Sequence, residues 1–178
     1  MELSVREIQH SDIDALVRYW LRADDAFLEG MGVDVKKMPG RDAWVNMLTD
    51  QISKPYEEKQ SYCIIWLADG IPTGHSNINK IVFGEEAYMH LHLWNSNVRK
   101  RGMGTELVKM TIPFYFDHFK LKRLYCEPYA LNAAPNKTLE KAGFTFIKEY
   151  TTIPGWLNFE QPVNLWVLER DQLRNARK

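Results

Sequence analysis

The chain has 178 residues, 45% hydrophobic and 26% charged, the make-up of one globular domain over residues 1–178. Lys plus Arg and Asp plus Glu both number 23, and a formal charge of zero argues against a general nucleic-acid or membrane-surface binder. No signal-peptide core or membrane-length apolar run is visible, and Cys63 and Cys126 lie in apolar strand-like runs, as expected for buried thiols of a cytosolic protein.

LSVREI alternates like a strand. In SDIDALVRYWLR, Ser11 followed by Asp14 is an acidic variant of the helix-starting box, and Ile13, Leu16, Val17 and Trp20 form one helical stripe. Residues 23–40, with Gly30, Gly32, Pro39 and Gly40, are expected to be irregular, and RDAWVNMLTDQIS to be a second amphipathic helix. SYCIIWLAD, the run from Thr73 to Phe83 and AYMHLHLW then read as an antiparallel meander with turns at DG and GEEA.

GTELVKMTIPFYFDHF follows as a helix, in which Pro113 cannot donate to the carbonyl of Lys109, so a kink or break is expected. RLYCEPY reads as a strand, NAAPNKTLEKAG as a short helix closed by Gly143, and FTFIKEY and VNLWVLER as the last strands. The fold class is therefore mixed α/β (α+β).

Between a strand and a helix stands Arg99-Lys100-Arg101-Gly102-Met103-Gly104. Alternate glycines let backbone N–H groups approach a ligand, the helix start adds orphan donors and its dipole, and three cations add charge. A phosphate or pyrophosphate would suit this loop; on the hexapeptide alone, so would a solvated basic turn with a glycine cap. It carries neither the nucleotide-triphosphatase pattern nor the third glycine of a dinucleotide fold.

R-x-x-G-x-G at 99–104, with Asn132 and LEKAGF behind it, resembles the GNAT superfamily of acyl-CoA N-acyltransferases, over roughly Thr73 to Tyr150. The branch it is most similar to holds aminoglycoside 6′-acetyltransferases and ribosomal-protein N-acetyltransferases. The resemblance implies a mixed, mostly antiparallel sheet of about seven strands flanked by helices, splayed between strands 4 and 5. It also implies acetyl-CoA as acyl donor and no metal. Backbone groups of Arg101, Gly102 and Gly104, with Lys100, Met103 and Thr105, would hold the pyrophosphate, and Arg99 opens the motif. Leu93 and Trp94 would pair with the pantetheine arm, and Asn132 would position it. Lys137 and Lys141 stand where the adenosine end or plain solvent would be met.

Acyl transfer to an amine needs the ammonium, with its pKa near ~10, to lose a proton, so a base is useful at neutral pH. His90 and His92 share one face of a strand, and as residues alone they read equally as structural imidazoles. In the family a base often projects from the fourth strand, and some animal arylalkylamine acetyltransferases carry H-x-H there. His90, nine residues before Arg99, fits that place better, with His92 as relay or second candidate. Glu127 is a rival base, an anchor for a cationic substrate or a plain strand-end charge. A zinc site on H-x-H has no obvious third ligand beyond His75 or an acid. The general acid stays open: Leu139 stands where many relatives have tyrosine and Pro135 where others have serine, while Tyr129 and Tyr150 are near in sequence.

In this fold ADDAFLEGMG and TTIPGWLNFEQP would wall the acceptor pocket, with Asp25, Phe27 and Trp156 as candidate contacts for a cationic amine on an apolar or sugar framework. The expected function is an N-acetyltransferase acting on the primary amine of a small molecule, monomeric or homodimeric, with no nucleic-acid or membrane partner. The alternative is a non-catalytic acyl-CoA-binding regulatory module, and a weaker third reading is a phosphate loop for another nucleotide.

Overall fold

Seven strands run through the chain: β1 (Leu3–Glu7), β2 (Tyr62–Ala68), β3 (Ile71–Val82), β4 (Glu86–Leu93), β5 (Arg123–Cys126), β6 (Thr145–Thr152) and β7 (Gln161–Glu169). Six helices join them: α1 (Ile13–Arg22), α2 (Asp25–Gly30), α3 (Arg41–Ser53), α4 (Met103–Phe119), α5 (Ala133–Lys141) and α6 (Arg170–Asn175). The computed structural model describes residues 1–94 and 102–175. All seven strands form one sheet in the order β1-β2-β3-β4-β5-β7-β6, antiparallel except where β4 meets β5.

β2 shows how the sequence sorts the molecule into layers. Six of its residues, Tyr62 to Leu67, are buried, so both of its faces are covered. By the two-residue alternation of a strand, Tyr62, Ile64 and Trp66 join a core with α4. Cys63, Ile65 and Leu67 join a second core on the opposite face with α1 and α3. Both thiols are free and buried, and burial raises the pKa of each.

Two local expectations change. Residues 23–40 contain α2, started by Asp24, whose Oδ1 accepts the N–H of Phe27 at 2.8 Å, and seated by the buried Leu28. The flanking glycines masked that short turn. Of the kink or break expected at Pro113, the break does not occur: α4 runs from Met103 to Phe119. A proline inside a helix costs about 3 kcal/mol. The face carrying Leu107, Val108, Ile112, Tyr115, Phe116 and Phe119 is fully buried, and each such side chain stabilises by about 1.5–3 kcal/mol, so packing wins.

The expected splay is present. β4 and β5 pair in parallel only from Glu86 to Tyr88 against Arg123 to Tyr125. Beyond that, β4 continues to Leu93 while β5 ends at Cys126, whose Sγ donates to the Met89 carbonyl at 2.9 Å.

Candidate active site

Register places the polar side chains of the opened sheet on one face. Tyr88, His90 and His92 of β4 lie opposite Asn79, Asn77 and His75 of β3, and the alternation along β5 and beyond puts Glu127 on the face of Tyr125. This face looks toward α1 and α3 and walls a cavity of about 470 Å³. The cavity is lined by His75, His90, His92 and Glu127 from the sheet, by Trp20 and Trp44 from the helices and by Trp156 from the β6–β7 loop.

The roof is a clasp between the two segments expected to wall the pocket. The Gly32 carbonyl accepts from Asn158 Nδ2 at 2.8 Å and from Gln161 Nε2 at 2.7 Å. The Asp34 N–H donates to the Leu157 carbonyl at 2.7 Å, and Lys37 Nζ to the Asn158 carbonyl at 2.7 Å. Gly32 has φ +84°, and a Cβ there would lie 2.0 Å from Gln161 Oε1, so this crossing requires glycine.

The three histidines have different surroundings. His75 is 2% exposed, its Nδ1 accepts from Trp94 Nε1 at 2.7 Å, and burial, with His90 adding to it, lowers its pKa to about 3. His92 stacks on His75 at 4.6 Å, meets the edge of Trp20 at 4.8 Å and has the Tyr19 hydroxyl 3.2 Å from Nδ1. It is boxed by aromatic rings, the surroundings of a structural imidazole or a relay. His90 is partly buried, with Nε2 3.1 Å from Asn79 Oδ1. Burial, and then the charge of Lys80, lowers its pKa to about 4, so it is neutral at physiological pH and able to take a proton. From below, Tyr115 donates to Ser76 Oγ and Ser76 to the His90 carbonyl, both at 2.8 Å, tying the His90 backbone to α4.

Glu127 is 8% exposed; its Oε1 accepts from the Tyr150 hydroxyl. Oε2 has no hydrogen bond, and Lys80 Nζ stands 3.7 Å from it. That bond to the buried carboxylate, with desolvation as the larger cause, raises the pKa of Tyr150. Tyr129 lines the cavity, whereas Tyr150 does not. Leu139 is fully buried in the core, and Pro135 is in the cavity wall.

Of the residues expected to contact the acceptor, Trp156 is in the wall, its ring 5.6 Å from that of Trp44. Asp25 and Phe27 do not line the cavity. Asp25 is an exposed residue in the first turn of α2, and Phe27 faces a separate open groove with Arg18 and Trp94. The unforeseen helix turns them away.

The cofactor side lies along the splay. Gly102 opens α4 at φ +71°, and the side chain of Met103 is buried, so only the backbone of Met103 can meet a ligand. Thr105 donates its N–H to the Gly102 carbonyl at 3.3 Å. A Cβ at Gly104 would have nothing nearer than Leu93 Cδ1 and Thr138 Oγ1 at 3.8 Å. The fold itself thus leaves room at this helix start, and the bare backbone suits a diphosphate. Arg99, Lys100 and Arg101 lie outside the described residues.

The backbone N–H of Trp94 is committed to the Thr73 carbonyl at 2.9 Å on the β3 side. By alternation the opposite edge of β4 belongs to Met89, Leu91 and Leu93, so the backbone groups of Leu91 and Leu93, unlike the amide of Trp94, face the opened side. Asn132 caps α5 without a side-chain cap bond and lines the cavity. Sequence reasoning missed Asn136, which donates to the carbonyls of Asn132 and Tyr129 and accepts from Asn164 and Trp166, fastening α5 to β7. It also missed Asn79. Among the described residues no group of three His, Cys, Asp or Glu could hold a metal ion, and no helix is long and apolar enough to cross a membrane.

The chain matches the family profile described as the acetyltransferase (GNAT) domain over residues 2–145. It is similar to the solved structure of an aminoglycoside acetyltransferase in complex with coenzyme A and kanamycin, at 16% identity over 99% of this chain and 100% of that chain, TM-score 0.75. A spermidine N-acetyltransferase from Vibrio cholerae in complex with CoA and spermine is 12% identical over 97% of this chain and 98% of that one, TM-score 0.78. For a ribosomal-protein-S5-alanine acetyltransferase from Vibrio fischeri the values are 17%, 96%, 94% and 0.77. At such identities the likeness is one of fold. No curated protein sequence matches the chain. With the family profile covering most of its length, the chain belongs to the GNAT acetyltransferase family and is an acetyl-CoA-dependent N-acetyltransferase.

Proposed function

We propose that the protein acetylates the primary amine of a small cationic acceptor held in the cavity, with Glu127 receiving the ammonium group and His90 taking its proton. One observation carries the reading: the splay sets a neutral imidazole and a buried carboxylate with an unbonded oxygen in the wall of one cavity. Glu127 Oε2 is closed off from solvent with Lys80 Nζ 3.7 Å away, so the acceptor cation would reach it by displacing Lys80. Trp156, with the stacked pair Trp20 and Trp44 beside it in the wall, offers aromatic surface to the acceptor's framework and to its charge. The solved relatives bound to kanamycin and to spermine contain acceptors of this cationic kind.

When bound, acetyl-CoA supplies the acetyl group already activated as a thioester. The backbone at Gly102 to Thr105, joined by Arg99, Lys100 and Arg101, would hold its diphosphate; Leu91, Leu93 and Asn132 would hold its arm. Once His90 has the proton, the neutral nitrogen forms the new C–N bond as the C–S bond breaks. Tyr129, in the same wall, would give its proton to the departing sulfur and regain one from the second proton that the nitrogen sheds as the C–N bond forms.

Thiol release from acetyl-CoA, measured with a panel of amines, tests the assignment. Removing a general base lowers kcat by about 10²–10⁴, the loss expected for His90→Ala. Glu127→Gln should raise KM for cationic acceptors by roughly tenfold or more and leave CoA affinity unchanged. Tight CoA binding without turnover of any amine would replace this reading by that of a binding module.

A further inference from the structure

Building on the reading of His90 as the base, we infer that Asn79 is the positioning residue that makes Nδ1 of His90 the proton-accepting atom. Asn79 lies on β3 opposite Tyr88, one pair along from the Asn77–His90 pair, so it reaches His90 diagonally. Its amide oxygen is 3.1 Å from His90 Nε2. A carbonyl oxygen only accepts, so Nε2 carries the hydrogen and the lone pair of the neutral ring is on Nδ1.

Among the described residues Nδ1 has no hydrogen-bond partner, yet it is not one of the buried unpartnered atoms, which are Trp44 Nε1 and Glu127 Oε2. It therefore opens onto the cavity that His90 lines. When Nδ1 takes the acceptor's proton, the positive charge spreads to Nε2–H, and the Asn79 oxygen is already in place to receive it. No group has to turn at that moment.

A local irregularity begins directly beyond this contact. The β3–β4 register shifts between Asn79 and Val82, with Lys80 at φ +47°. This bulge re-aims the side chains at the end of the ladder. The titratable groups around His90 are His75 and Lys80 of β3, Tyr88 and His92 of β4, and Glu127 beyond β5. The cavity lining from α1, α3 and the β6–β7 loop is uncharged.

Long-range proton–nitrogen NMR reads the tautomer directly, with the His90 signals assigned by their loss in His90→Gln. The expected wild-type ring is protonated at Nε2. Asn79→Leu should yield a mixture of tautomers and a kcat lower by roughly 10- to 100-fold, with acceptor KM and CoA affinity little changed. Asn79→Asp should keep the Nε2–H form and move the acid limb of kcat upward in pH, as a carboxylate raises the imidazole pKa. A wild-type ring protonated at Nδ1, or an Asn79→Leu variant with unaltered tautomer and kcat, would overturn the assignment. Full turnover by His90→Gln alongside a wild-type Nε2–H signal would instead defeat the reading of His90 as base.

Discussion

Replacing Gly32 by alanine tests whether the clasp over the cavity shapes the acceptor site. The substitution meets two independent costs. At φ +84° an L-residue is strained by about 1–2 kcal/mol. The new Cβ would also stand 2.0 Å from Gln161 Oε1, so that side chain must leave its place. Gln161 is 1% exposed, and its amide donates to the carbonyls of Gly32 and Phe159. Displacing it leaves buried polar groups unpaired, a further cost of about 1–3 kcal/mol. The sum is about 3 kcal/mol, which for a chain of this size lowers Tm by roughly 6–12 °C. Thermal unfolding reads the stability, and acceptor KM against CoA Kd reads the site. KM should rise several-fold while CoA Kd stays constant, because the clasp is on the opposite side of the sheet from α4. A Tm within about 2 °C of wild type would show that the loop shifts freely and that the crossing is not a fixed wall.

Gly104→Val should abolish CoA binding in calorimetry and leave Tm nearly unchanged, since a Cβ there meets only ordinary contacts at 3.8 Å; unaltered affinity would place the diphosphate elsewhere. It is a cleaner probe than Gly102→Val, where φ +71° adds backbone strain. Asp12→Asn should destabilise by about 2 kcal/mol in denaturant unfolding, because Asp12 is 4% exposed and accepts two bonds from Arg6, at 2.6 and 2.8 Å. Burial opposes ionisation of Asp12, but Arg6 and the Gln9 N–H outweigh it, so its folded pKa lies below the unfolded value of about 3.9. The stabilisation is therefore complete above that value and lost as pH falls through the folded pKa. The Asp12→Asn variant should flatten this acid dependence, and an unchanged slope below pH ~4 would refute the linkage.

Much of the architecture was legible because its signals are local. The DG turn, the alternating runs and the stripe Ile13, Leu16, Val17 and Trp20 each report a period that survives folding. The splay was legible only through the family motif; no residue of β4 or β5 announces that pairing stops at Tyr88. The two helix expectations that changed did so where packing overrides propensity. Pro113 is carried by a buried face, and α2 depends on one aspartate cap and one buried leucine between glycines.

The candidate site divides along the same line. Alternation was enough to place His90 and His92 on one face, but the chemistry of each ring is set by residues remote in sequence. His92 meets Tyr19 and Trp20 of α1 and His75 of β3, which hold it among rings. His90, two residues earlier, meets Asn79, which reaches it diagonally across the β3–β4 ladder. Register between two strands is not written in either strand's own pattern, so the sequence carried no sign that Asn79 would cap Nε2 rather than face solvent. Asp25 and Phe27 obey the same rule: composition marked their segment as a wall, while α2 decided which way each residue points. Under the proposed mechanism the base is picked out in two steps. Periodicity nominates two imidazoles, and the partner of each ring nitrogen decides which lone pair is left for a substrate.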